Sequence, residues 1–192
     1  MQTKVTCTIP KDRVGVLIGS EGQVKKRIEN TLGVQLTISG ETGVVEVAPQ
    51  GGDTDPVSLL RARDIVTAIG RGFSPERAYA LFDDNVVFEI IDLRELFGKN
   101  ESDIRRVKGR IIGQEGKTRR IIEEMTKTNL SVYGDTVGIV GGYEEVATAR
   151  EAVEMLLKGK QHATVYRFLR DRRREAKRKE TLELWEKRPP QL

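Results

Sequence analysis

A single cysteine in 192 residues leaves nothing for an intramolecular disulfide or a paired-cysteine metal site, and points to a reducing, cytoplasmic setting. Cys7 reads as a buried strand residue. The lone histidine, His162, has no nucleophile or carboxylate partner in evident register. There is also no G-x-x-x-x-G-K-[ST] phosphate loop and no cluster with metal-ligand spacing. The sequence therefore argues against an enzyme and calls for no cofactor or metal; the acidic pair Asp83-Asp84 reads as a helix end. Aromatic residues make up only 5%, too few for a stacking platform, so base stacking is expected to be minor. No hydrophobic run approaches a membrane span, and Met1 to Ile9 alternates as a strand does rather than forming the apolar stretch of a secretory signal.

A strong overall charge is missing as well, because 33 Lys+Arg face 29 Asp+Glu. The balance hides an asymmetry. Residues 160–192 hold 11 basic against 5 acidic side chains, and the remainder is slightly acidic at 22 against 24. Arg167, Arg170, Arg172, Arg173, Arg174, Lys177, Arg178 and Lys179 crowd into one stretch with helical character. Such density exceeds what solubility requires and suits a nucleic-acid backbone, with Arg170, Arg173, Arg174 and Lys177 as candidate phosphate contacts. A solvated helix face is the plainer alternative.

Most of the functional information lies in a cassette that occurs twice, 94 positions apart. Ile18-Gly19-Ser20-Glu21-Gly22 precedes Lys25, Lys26 and Arg27, and Ile112-Gly113-Gln114-Glu115-Gly116 precedes Arg119 and Arg120. The register continues, since Leu36-Thr37-Ile38-Ser39-Gly40-Glu41 falls on Leu130-Ser131-Val132-Tyr133-Gly134-Asp135. Two blocks in one register argue for duplication. A GxxG turn opening a basic helix is the KH-type clamp: glycine lets a sugar-phosphate backbone approach, and the helix aims free N–H groups and its positive dipole end at the phosphates.

The RNA-binding candidates are thus Gly19, Ser20, Glu21, Gly22, Lys25 and Lys26 in the first module. In the second they are Arg110, Gly113, Gln114, Glu115, Gly116, Lys117, Arg119 and Arg120. Being exposed, the turns are expected to tolerate replacement of their glycines without loss of fold. Two departures from generic KH sequences stand out. Glu21 and Glu115 put an acid between the glycines, which weakens a phosphate clamp. Lys25 and Arg119 stand where an isoleucine is usual; they either add charge to the phosphate path or pair with Glu29 and Glu123 at i+4. The greater charge around Gly113 ranks the second module as the stronger site. An apolar floor for bases is expected from Val14, Leu17, Ile18 and Leu36, and from Ile111, Ile112 and Leu130, all of which can equally be core.

The fold class expected is α+β: two tandem type I KH domains, each β-α-α-β-β-α with a three-stranded sheet and helices on one face, plus a C-terminal basic helix. The boundaries read 1–72 for the first, 73–85 for a structured connector, 86–159 for the second and 160–192 for the tail. With no Gly/Ser-rich spacer, the modules are expected to pack as one unit. The tail is expected helical from Ala163 to about Lys187, docked through Val165, Phe168 and Leu169. Its charged middle should project into solvent or onto a partner, Trp185 should cap the body or, alternatively, stand exposed as a stacking group, and Pro189-Pro190 should end the helix.

Several stretches resemble the tandem-KH partner-of-Nob family in its archaeal form. They are Ala68-Ile69-Gly70-Arg71-Gly72-Phe73, the run Gly109 to Arg119, Ile139-Val140-Gly141-Gly142, Leu156-Leu157-Lys158-Gly159-Lys160 and Val165-Tyr166. The resemblance covers nearly the whole chain. It implies small-subunit ribosome assembly, with binding near the 3′ end of small-subunit rRNA beside the rRNA-trimming endonuclease and other ribosome or translation factors, and no membrane. From the residues alone the reading stops at single-stranded RNA. A protein-interaction scaffold and an RNA-degradation adaptor stay open.

Overall fold

The computed structural model describes residues 4–52 and 54–186, with side chains as far as Leu182. Expectations that fall on Thr3, Asp53, Lys187, Pro189-Pro190 and the Trp185 side chain lie outside the described residues.

The first module runs β1 (Val5–Thr8), α1 (Lys11–Ile18), α2 (Gln23–Leu32), β2 (Val34–Ile38), β3 (Val44–Pro49) and α3 (Pro56–Gly70). Gly33 closes α2 in the left-handed region, after which Val34 and Leu36 turn inward and Gln35 and Thr37 outward. Asp55 caps α3 by accepting from the Val57 N–H at 3.0 Å, with Pro56 in the first turn, where no N–H is needed. The sheet order is β1-β3-β2, antiparallel throughout. Cys7 is half-buried on β1, and burial pushes its thiol pKa up.

The second module repeats the order: β4 (Val86–Asp92), α6 (Glu101–Ile112), α7 (Lys117–Thr126), β5 (Asn129–Tyr133), β6 (Thr136–Gly142) and α8 (Tyr143–Leu157), with sheet order β4-β6-β5. Two short helices precede and interrupt it: α4 (Pro75–Ala78) in the connector and α5 (Leu93–Phe97) after β4. Asp92 caps α5 by accepting from the Arg94 N–H at 2.8 Å. In the connector, Asp83 accepts from the Asn85 N–H and Asp84 pairs with Arg61, so this acidic pair closes a turn.

The two sheets differ in what covers them. On the first sheet burial alternates, leaving Thr6, Thr8, Gln35 and Thr37 exposed. On β6 the run Val137, Gly138, Ile139, Val140 is buried throughout, because helices cover one face and the first module covers the other. Phe73, 1% exposed, fills that junction edge-on to Phe88 at 6.0 Å. Gly138 makes room for it, since a Cβ there would stand 2.7 Å from the Phe73 ring. Ser131 donates to the Arg71 carbonyl at 2.9 Å, and Arg77 pairs with Glu123 at 2.8 Å. Tyr133 donates to Asp12, a bond that holds its phenol above the usual pKa range. The modules therefore pack directly, as the short connector implied.

The tail helix, α9 (His162–Glu186), docks through Val165 and Leu169. Its charged middle does not leave the body as expected. It turns back antiparallel to α8, tied by Arg172 to Glu151 at 3.2 Å and by Lys179 to Glu144 at 3.1 Å. Every residue from Arg170 to Leu182 nevertheless stays exposed. Among the described residues no helix is long and apolar enough to cross a membrane.

Candidate nucleic-acid interface

The two GxxG turns are the same structure. Gly19 and Gly113 have φ/ψ of 71/177° and 73/175°, Glu21 and Glu115 52/25° and 50/30°, and Gly22 and Gly116 75/16° and 75/13°. Three of four residues thus avoid the ordinary helical region, and at the first glycine a side chain has no room. A Cβ on Gly19 would meet Val24 Cγ2 at 2.5 Å, and one on Gly113 would meet Thr118 Oγ1 at 2.2 Å. This corrects the expectation that glycine replacement spares the fold. The exposed positions are Ser20, Glu21, Gln114 and Glu115, between the glycines. Neither following helix has a side-chain N-cap, so first-turn N–H groups of α2 and α7 remain open to an anion.

The flanking cations are arranged in matched pairs. Lys25 leans on Glu29 at 3.8 Å and Arg119 on Glu123 at 3.9 Å, the i+4 alternative. Both carboxylates are anchored, Glu29 by the Leu36 N–H and Glu123 by the Leu130 N–H, each at 2.8 Å. Lys26 donates to the Glu21 carbonyl at 3.3 Å and Arg120 to that of Glu115 at 3.0 Å, stapling the left-handed residue of each turn. Lys117 is exposed and stands where the first module has Gln23.

Arg110 needs correction. Its guanidinium donates to the carbonyls of Leu156 at 3.2 Å and Lys160 at 2.5 Å, at the C-terminal end of α8, rather than facing the turn. Arg13 does the same in the first module, donating to the carbonyls of Ile69 at 2.8 Å, in the last turn of α3, and of Phe73 at 2.6 Å, just past it. The two arginines come from first-helix positions one turn apart, which hid their equivalence from a comparison at fixed offset. Without Arg110, and with Arg27 of the first module held 4.3 Å over the Tyr79 ring, the charge advantage of the second turn narrows to Lys117. Replacing Arg110 by methionine should lower stability by about 1–3 kcal/mol, because the part-buried Leu156 carbonyl and the exposed Lys160 carbonyl lose charged donors, while the salt dependence of RNA binding stays the same. Urea unfolding and a salt titration check both halves.

Most of the expected apolar floor is core. Val14, Leu17, Leu36, Ile111 and Leu130 are buried, and only Ile18, 37% exposed, and half-buried Ile112 remain accessible beside the turns. The adjoining β2 and β5 are sheet edges, so their backbone groups can meet base edges. In the tail, Arg170, Arg173, Arg174 and Lys177 are all exposed, and Arg173 donates to Met125 Sδ on α7 at 3.4 Å. Sequence reasoning missed the root of α9. There His162 Nε2 donates to the Arg110 carbonyl at 2.9 Å, and the Tyr166 hydroxyl bonds Thr118 Oγ1 at 2.9 Å.

Comparison with known proteins agrees with this architecture. A "Eukaryotic type KH-domain (KH-domain type I)" model matches residues 87–174, and a general KH-domain model matches residues 4–62. A KH domain-containing protein of Methanocaldococcus jannaschii is 53% identical over 94% of this chain and 78% of its own length. An RNA-binding protein pno1 of Dictyostelium discoideum is 31% identical over 85% and 69%. The pre-rRNA-processing protein PNO1 of Debaryomyces hansenii is 28% identical, and the chain spans 64% of it. A crystal structure of Dim2p from Pyrococcus horikoshii superposes with a TM-score of 0.80 at 46% identity, covering 88% of this chain and 99% of that one. A second Pyrococcus structure, an a/eIF2alpha-aDim2p-rRNA complex, gives 0.84 at 45%, covering 91% and 96%. With two type I KH modules, paired turns and these relatives in agreement, the chain belongs to the archaeal branch of the PNO1/Dim2 family of tandem KH-domain proteins.

Proposed function

We propose that this chain is an RNA-binding assembly factor of the small ribosomal subunit. In this reading it grips single-stranded rRNA near the 3′ end, with the second GxxG turn as principal clamp. The observation that carries the reading is the identity of the two turns in backbone torsion, each followed by an uncapped helix N-terminus. That geometry presents fixed N–H donors to phosphate and suits a stretch of about four nucleotides. Support for rRNA as the ligand comes from the Pyrococcus relative found in complex with a/eIF2alpha and rRNA. The same complex favours a translation factor as partner. The rRNA-trimming endonuclease is the partner expected during maturation in the cytoplasm. The protein binds and presents RNA; cleavage belongs to that partner.

Filter binding of the full chain to short single-stranded RNA across a salt series tests the reading. Log K should fall linearly with log salt, by about 0.7 for each phosphate contact. A flat response would instead favour a protein scaffold whose turns, bearing Glu21 and Glu115, meet a polypeptide.

A further inference from the structure

The tail helix carries its cations in two sets that the structure separates. Those facing the body are engaged: Arg172 pairs with Glu151 and lies 5.3 Å over the Phe168 ring, Arg173 meets Met125, and Lys179 pairs with Glu144. Arg167, Arg170, Arg174, Lys177 and Arg178 fall on the opposite face, at spacings i, i+3, i+7, i+10 and i+11, and all are exposed. Arg174 leans on Asp171 at 3.9 Å, and the other four make no ion pair among the described residues. The stripe spans about 16 Å of helix.

Its starting point matters as much as its charge. Arg167 follows Tyr166, whose hydroxyl bonds Thr118, and Thr118 is the residue against which Gly113 is fitted. His162, a turn earlier, holds the Arg110 carbonyl three residues before Gly113. The first module has no counterpart, because Val24 fills the place of Thr118. The free stripe thus begins where the second clamp ends.

We propose that the outward face of α9 continues the second clamp as one RNA track. Single-stranded RNA held at Gly113 to Gly116 runs on with its phosphates along Arg167, Arg170, Arg174, Lys177 and Arg178. The proposal rests on the RNA reading of the turn. It is favoured over an acidic protein surface because the stripe abuts a turn already shaped for a polyanion. It also explains how a clamp with an acid between its glycines reaches useful affinity: the tail supplies the phosphate charge that the turn lacks.

The test compares two unstructured RNAs, one of ~4 nucleotides that fills only the clamp and one of ~12 that also reaches the tail. They are titrated against salt with the full chain and with two variants. The first variant replaces Arg167, Arg170, Arg174, Lys177 and Arg178 by glutamine; the second replaces only Arg172 and Lys179. The stripe variant should flatten the salt slope on the longer RNA by about 0.7 per lost contact, up to about 3.5 in all. Its binding of the short RNA should not change, and the inward variant should keep the full slope on both. An unchanged slope on the longer RNA would overturn the track and assign the stripe to an acidic protein partner or to solvent. Equal losses on both RNAs would overturn it too, since the stripe would then be acting through the turn. A native chain with flat slopes on both RNAs would remove the RNA reading itself, a result distinct from either. Circular dichroism melting confirms that the variants remain folded.

Discussion

Changing Gln114 to Asp together with Lys117 to Glu should weaken binding of single-stranded RNA by roughly 100-fold at low salt. The pair shifts the second turn by three charge units without touching its glycines, and both side chains are exposed. At about 1 kcal/mol per exposed charge near a phosphate, three units amount to about 3 kcal/mol. The matching change in the first module, Ser20 to Asp with Gln23 to Glu, shifts two units, about 2 kcal/mol, at a turn lacking the Lys117 charge and should cost roughly 30-fold. Equal losses from the two pairs would contradict the ranking of the second turn over the first. Replacing Gly19 or Gly113 would not give a clean answer. A side chain at either position collides with Val24 or Thr118 and must adopt a φ near +70°, so misfolding would be mixed with lost contacts.

The largest effect on stability is expected at Phe73. Its ring is 1% exposed in the first core and bears on the second sheet, edge-on to Phe88 and against the bare backbone of Gly138. Phe73 to Ala should destabilise by about 3–5 kcal/mol, the usual range for a buried aromatic whose cavity cannot collapse. Urea unfolding followed by circular dichroism measures it. The native chain should unfold in one transition, and the variant at a lower midpoint, with the two modules beginning to separate. A loss under about 1 kcal/mol would mean the modules meet only loosely.

The order of elements was legible because each module announces its turns. Gly33 and Gly19-x-x-Gly22 punctuate the first, Gly113-x-x-Gly116 the second, and the strands between them alternate with period two. Helix α5 escaped notice although Asp92-Leu93-Arg94-Glu95 has the spacing of a capping box; so short a helix leaves no periodic signal. The covering of the second sheet by the first module was also readable in principle. Val137-Gly138-Ile139-Val140 lacks the polar alternation of Val45-Glu46-Val47, which marks a strand buried on both faces. Site residues were harder. A charge beside a turn in sequence can point elsewhere, as Arg110 does toward the end of α8, because helix geometry sends a side chain three residues from a turn to a different face. The inward and outward cations of α9 are indistinguishable in composition. Only the packing of α9 against both α7 and α8 sorts Arg173, which meets Met125 on α7, from Arg170 and Arg174.

Ultraviolet crosslinking of the full chain to RNA in its native cells, with sequencing of the bound RNA and mass spectrometry of the crosslinked peptide, tests the central claim most directly. The expected result is recovery of small-subunit rRNA from its 3′ region, crosslinked to peptides spanning Gly113 to Arg120 and the start of the tail. Recovery of mixed messenger fragments would point to an RNA-degradation adaptor. Crosslinks confined to protein would contradict RNA binding by these turns altogether.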